Sequence, residues 1–167
     1  MKPRTLTDAE VQKLVASDAP VRLPGENLEG IDLSGLSLRG ADLEGACLKN
    51  ARLVRTDLSG ANLAWSQLQS ANLEGARLIE AHLTHANLEQ AHLLGATLAM
   101  GDLRWARFRE ANLTDADLVG AHLEGAEMWK TQLAGTRITR NGLASLEPHL
   151  SATQLAALHR YGTKEEC

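Results

Sequence analysis

The sequence predicts an all-β solenoid, and three observations predict it. Leucine recurs at every fifth residue, as in Leu43, Leu48, Leu53, Leu58, Leu63, Leu68, Leu73 and Leu78. The residue two before each leucine is small, alanine in most repeats between Ala41 and Ala126 with Ser66 and Gly101 as stand-ins. The residue two after is often glycine, as at Gly30, Gly45, Gly60, Gly75, Gly95 and Gly125. Five residues at about 100° each advance roughly 500° around an α-helix, which scatters the leucines about its axis. A continuous strand fails as well, because an odd period sends successive leucines to opposite faces. The chain must therefore turn once per repeat and wind into a coil with its leucines inside. Small residues let the corners close around the leucines, and glycine supplies the positive φ of a type II turn. Asp or Asn stands before many centres (Asn27, Asp32, Asp42, Asp57, Asn62, Asn72, Asn87, Asp102, Asn112, Asp117), where a short polar group can bond nearby backbone.

Taken in order, residues 1–25 read as an N-terminal cap. In "LTDAEVQKLV", Thr7 and Glu10 form a capping box and Leu6 with Val11 a hydrophobic staple, predicting a helix over about residues 8–16. Residues 26–145 read as the solenoid, its register unbroken from Leu28 to Leu143 with Phe108, Met128 and Ile138 as conservative centres. Two large inward residues of the first coil, Ile31 and Leu36, predict that it packs against the N-terminal segment. Residues 146–167 read as a C-terminal cap or dimerisation segment: Ser151 and Gln154 repeat the capping box, Leu150 and Leu155 the staple, and Gly162 stands where a stop belongs. Leu146, Leu150, Leu155, Leu158 and Tyr161 amount to more apolar surface than a short cap easily hides. That surplus leaves two arrangements open, a lid within one chain or a homodimer joined through the C-terminal ends, either of which covers the raw strand edges of a coil.

The tandem A-[D/N]-L-x-x pattern resembles the pentapeptide repeat family. The resemblance implies a right-handed, quadrilateral parallel β-helix with about four repeats per coil and about six coils, a rod roughly 25 to 30 Å tall at the ~4.8 Å spacing of stacked strands. Some members protect DNA gyrase from inhibitors with a rod that looks like duplex DNA, and several look like rods joined through a C-terminal segment. The resemblance therefore adds gyrase as a candidate partner and leans toward the dimer.

Composition bounds the remainder. At 167 residues and net charge −4 the chain fits one soluble, weakly acidic domain without an apolar run long enough to span a membrane. Its start, "MKPRTLTDAEVQ", lacks the apolar core of a secretory signal, so a cytoplasmic location is expected. Cys47 and Cys167 read as unrelated free thiols. No GxGxxG run after a strand, nucleophile elbow, CxxC or HExxH is present, and an interior filled with leucine and alanine leaves little room for a catalytic cavity. Neither catalysis nor a cofactor is expected, and function falls to the outer faces and ends.

With four repeats per coil, residues 20 apart stack into columns. Three columns carry net charges between −1 and +1, whereas the Leu43 column sets Asp42, Glu44, Asp102 and Glu124 against Arg104, net −3. That column also brings Trp65, His85 and Trp105 to one corner ladder and His82, Asp102 and His122 to the position before the centre. Bulky residues are disfavoured at positive φ, so these three corners are expected to depart from type II. The rings stack either to stabilise the solenoid or to form an interaction face, which would comprise Trp65, His82, His85, Asp102, Arg104, Trp105, His122 and Glu124, with Ile79, Met100 and Val119 as an adjoining apolar patch. The histidines and Asp102 are metal-ligating types but replace the usual polar residue singly, and no metal is expected. No basic column exists for direct nucleic-acid binding. A non-catalytic module for an unidentified protein partner is the leading expectation, with DNA mimicry toward gyrase second. Mimicry needs carboxylates approaching one per ~1.7 Å, a density that no column reaches.

Overall fold

The computed structural model describes residues 6–16 and 21–160 of the chain. Every repeat takes one form: the residue before the centre bridges its equivalent one coil away, the centre points inward, and the next two residues turn the corner. Parallel bridges join residues 20 apart without interruption from Arg22↔Asp42 to Asn112↔Gln132, and the short strands β1 (Asp117–Leu118) and β2 (Arg137–Ile138) complete the series. A coil thus takes 20 residues and four corners. Backbone hydrogen bonds of 2.7–3.0 Å run from each coil to the next, as in Leu63 N–H to the His82 carbonyl and His82 N–H to the Ala61 carbonyl. The leucine centres from Leu43 to Leu118 and the alanines two residues before them are essentially inaccessible, and Phe108 fills one centre with no exposed surface. Where threonine replaces the small residue, at Thr56, Thr131 and Thr136, its hydroxyl donates to the Leu33, Phe108 and Leu113 carbonyls, so the buried oxygen is satisfied.

The repeat begins one unit earlier than expected. Leu23 is a buried centre, Arg22 bridges Asp42, and Gly25 has φ 67°, so residues 21–25 belong to the solenoid and not to the cap. Pro24-Gly25 is the pair a type II turn favours at its two central positions.

The corners overturn one expectation. Trp65, His85 and Trp105 all have φ 60°, and nine other non-glycine corners lie between 55° and 59°. At each the residue before has ordinary negative φ and the turn is closed by an i to i+3 bond, such as Ser66 N–H to the Leu63 carbonyl at 3.1 Å, the signature of type II. Left-handed φ costs a non-glycine residue about 1–2 kcal/mol. Leaving it would break the closing bond and the corner's own bond to the next coil (Trp65 N–H to Thr84, His85 to Arg104, Trp105 to Glu124, each 3.0 Å), and stacking overrides the residue's preference. All ten Asp and Asn residues expected to bond local backbone do so: each accepts through Oδ1 from the N–H two residues on, at 3.0–3.3 Å.

Helix α1 (Asp8–Val15) carries the Thr7–Glu10 capping box, and its Val11 is fully buried with Leu6 and Val15 packed beside it, in one apolar cluster with Ile31 and Leu36. At the other end the register expectation fails by one unit. Leu143 is not a coil centre but a buried residue of helix α2 (Arg140–Leu146), because Thr139 caps that helix: its hydroxyl accepts from Gly142 N–H at 3.3 Å and its carbonyl from Leu143 N–H at 2.9 Å. A 3-10 turn at Glu147–His149 leads to helix α3 (Ala152–Arg160), capped by the Ser151–Gln154 pair. Gln154 serves twice, since its Nε2 also donates to the coil-end carbonyls of Met128 and Thr131 at 2.7 and 3.1 Å. Leu146 and Leu158 are buried and Leu150 and Leu155 half-buried, so one chain hides most of the surplus on which a two-fold interface is expected. Tyr161, Gly162 and Cys167 lie outside the described residues. None of the described helices is long and apolar enough to cross a membrane.

Candidate interaction face

The side chains of Trp65, His85, Met100, Trp105 and Asp115 leave an αL backbone and lean toward the following coil. On the Leu43 column this makes a stack. The rings of Trp65 and His85 lie 4.0 Å apart at 14°, and those of His85 and Trp105 lie 6.3 Å apart at 10°. The series ends where the Trp105 indole rests on Gly125, whose missing Cβ leaves the space the indole occupies. Trp65 is 60% exposed and Trp105 57%.

Beside the rings, Asp102 takes a bidentate contact from Arg104, Nε to Oδ1 at 2.8 Å and Nη2 to Oδ2 at 2.6 Å. These bonds, stronger than the opposing effect of burial, hold the Asp102 carboxyl down at about 2, and raise Arg104 above its ordinary value in return. His82 and His122 bridge Asp102 from the coils on either side, all three on the same face. With Asp102 engaged by Arg104, the trio does not converge, and no group of three His, Cys, Asp or Glu among the described residues could hold a metal ion. Glu124 adds negative charge near Arg104. Around the next edge Ile79 and Val119 are half-buried, while Met100, 61% exposed, leans over Gly120 as Trp105 does over Gly125.

The sequence reading misses the third tryptophan. Trp129, 50% exposed, stands in the adjoining column one coil beyond Trp105, and the two indoles line a cleft of about 400 Å³ with Arg109, Glu127 and His149. Arg109 lies 5.2 Å and Lys130 4.2 Å from the Trp129 ring centroid, both in cation–π range. Column arithmetic compares only residues 20 apart. Adding the lean of each corner toward the next coil would have brought Trp105 to Trp129.

A sequence profile described as "Pentapeptide repeats" matches the chain in overlapping stretches, residues 25–53, 37–75, 56–95, 71–109 and 102–140. The chain belongs to the pentapeptide repeat family. Among solved structures it is similar to Rfr23, a pentapeptide repeat protein of the cyanobacterium Cyanothece 51142, at 32% identity over 72% of this chain and 88% of that one, TM-score 0.42. HetL, a pentapeptide repeat protein involved in heterocyst differentiation regulation in Nostoc sp. strain PCC 7120, is 25% identical over 80% and 81% of the two chains, TM-score 0.41. QnrB1, a plasmid-mediated fluoroquinolone resistance protein, is 21% identical over 72% and 69%, TM-score 0.41. None of the curated proteins matches the chain.

Proposed function

We propose that this pentapeptide repeat chain is a non-catalytic protein-interaction module, a right-handed quadrilateral rod of about six coils whose Trp65, His85 and Trp105 face meets a protein partner. One observation carries the reading: three half-exposed or more exposed tryptophans form one continuous surface on a scaffold without inserted loops. Single exposed apolar side chains are ordinary, but large aromatic surface gathered in one strip is the composition of interface hot spots. A rigid support keeps the entropy cost of docking low.

The test is retention of a partner from the native host by tagged protein. Wild type and Leu94→Ala, which removes an exposed leucine from another column, are expected to retain the same partner, and a Trp65→Ala/Trp105→Ala double variant of unchanged melting temperature is expected to lose it. Retention by the double variant overturns the reading. Mimicry of duplex DNA toward gyrase is less well supported, because the four carboxylates of the Leu43 column are spread over five coils ~4.8 Å apart, with Arg104 and two indoles among them, and fall short of one charge per ~1.7 Å. Gyrase supercoiling and its inhibition are expected to be unchanged by the purified protein.

A further inference from the structure

We propose that the open face of Trp65 receives a basic side chain of the partner protein, an arginine or lysine held between the indole and the carboxylates of Asp42 and Glu44. This rests on the interface reading above and names the chemistry of what docks there.

The direction of the ladder leaves one ring face free. Trp65 leans on His85 and Trp105 rests on Gly125, so every ring covers the coil after it. The other face of Trp65 looks toward the preceding corner, Gly45, which has no side chain, and nothing lies within 4 Å of where a Cβ there would be. Beside that opening the amide of Asn62 gathers two carboxylates, donating to Asp42 Oδ1 at 3.4 Å and Glu44 Oε2 at 3.1 Å. Asn62 sits three residues before Trp65 on the same coil and is neutral, so the charge it gathers is not cancelled. Among the described residues neither carboxylate has an ion-pair partner; Arg22, which bridges Asp42 through the backbone, is exposed and pairs with neither. Of the column's two guanidinium groups, Arg22 thus pairs with neither carboxylate, and Arg104 is committed to Asp102.

An indole face next to uncompensated carboxylates is complementary to a cation on two counts, ring quadrupole and Coulomb attraction. The molecule already uses half of this arrangement elsewhere, at Trp129, whose ring carries Arg109 and Lys130. Among the described residues no cation of the chain lies over Trp65. The vacancy, the exposed ring and the negative column coincide at one place, and a basic side chain from outside satisfies all three.

The experiment titrates the full-length protein with a blocked hexapeptide of alternating arginine and alanine, following the indole N–H resonances by NMR. The Trp65 resonance is expected to shift with saturation. Trp65→Leu and Glu44→Gln are each expected to weaken binding about two- to fivefold, while Glu89→Gln leaves it unchanged and citrulline in place of arginine abolishes it. Equal binding of the citrulline peptide, an unmoved Trp65 signal, or undiminished affinity in Glu44→Gln overturns the proposal. Should that happen while the Trp65→Ala/Trp105→Ala variant still loses its native partner, the face is an interface for a non-basic surface; if the variant keeps that partner, the interface reading has failed as well.

Discussion

The indole of Trp105 lies flat against Gly125, in space that a Cβ on that glycine would occupy, whereas the equivalent space at Gly45 is empty. Both glycines stand at the same kind of corner, with φ 72° and 64°. They therefore separate the cost of left-handed backbone from the cost of displacing the ladder. Gly45→Ala is expected to lose about 1 kcal/mol for its φ alone. Gly125→Ala is expected to lose more and to shift the Trp105 indole resonance, while Gly45→Ala leaves that resonance in place. Equal destabilisation by the two substitutions, with Trp105 unmoved, would contradict the packing described.

Stability is expected to reside in the centres and not on the faces. Leu83 has no exposed surface and Glu89 lies half-exposed on the outside of the following repeat. Leu83→Ala should cost about 2–5 kcal/mol through the cavity it leaves, and Glu89→Ala under about 0.5. Denaturant midpoints of the two variants check this, and coincident midpoints would refute the inward assignment.

Acid should act on the Asp102–Arg104 pair late. The carboxyl is held at about 2, below its ordinary 3.8, chiefly by hydrogen bonds from Arg104. A depressed folded value makes a contribution to stability that is complete above about pH 4 and lost as pH falls toward 2. Carboxyl-carbon NMR should place the Asp102 midpoint near 2 in wild type and nearer the ordinary value in Arg104→Gln. An unchanged midpoint in that variant would mean that Arg104 does not hold the charge.

Gln154 ties the last helix to the last coil through opposite ends of one amide, Oε1 accepting at the α3 N-terminus and Nε2 donating to Met128 and Thr131. Gln154→Ala is expected to remove both functions and cost about 1–2 kcal/mol, with faster amide exchange through α2 and α3. Gln154→Glu keeps the acceptor and loses the donor, so it should preserve exchange protection in the first turn of α3 while the helix loosens from the coil end. Identical exchange patterns for the two variants would show that only the bonds to the coil end matter and that the Oε1 cap does not.

The sequence by itself determined the period, and with it which residues face inward, which turn, and which stack 20 apart, because a five-residue repeat that buries its leucines admits no helix or flat strand. It determined the starts of α1 and α3 too, since capping boxes are local chemistry between residues three apart. Only the tertiary structure decided that Trp65, His85 and Trp105 adopt left-handed φ, because the bonds that hold them there come from the next coil and outweigh the residue's own preference. From that φ follows the lean of each ring, which leaves Trp65 open above and brings Trp105 beside Trp129 one coil on. The same competition ended the solenoid: Thr139 could turn one more pentapeptide corner or cap a helix, and α2 formed where its hydroxyl and carbonyl found Gly142 and Leu143. A choice between two locally permitted turns is settled by what each buries and bonds in three dimensions, and that information is not carried by the pentapeptide.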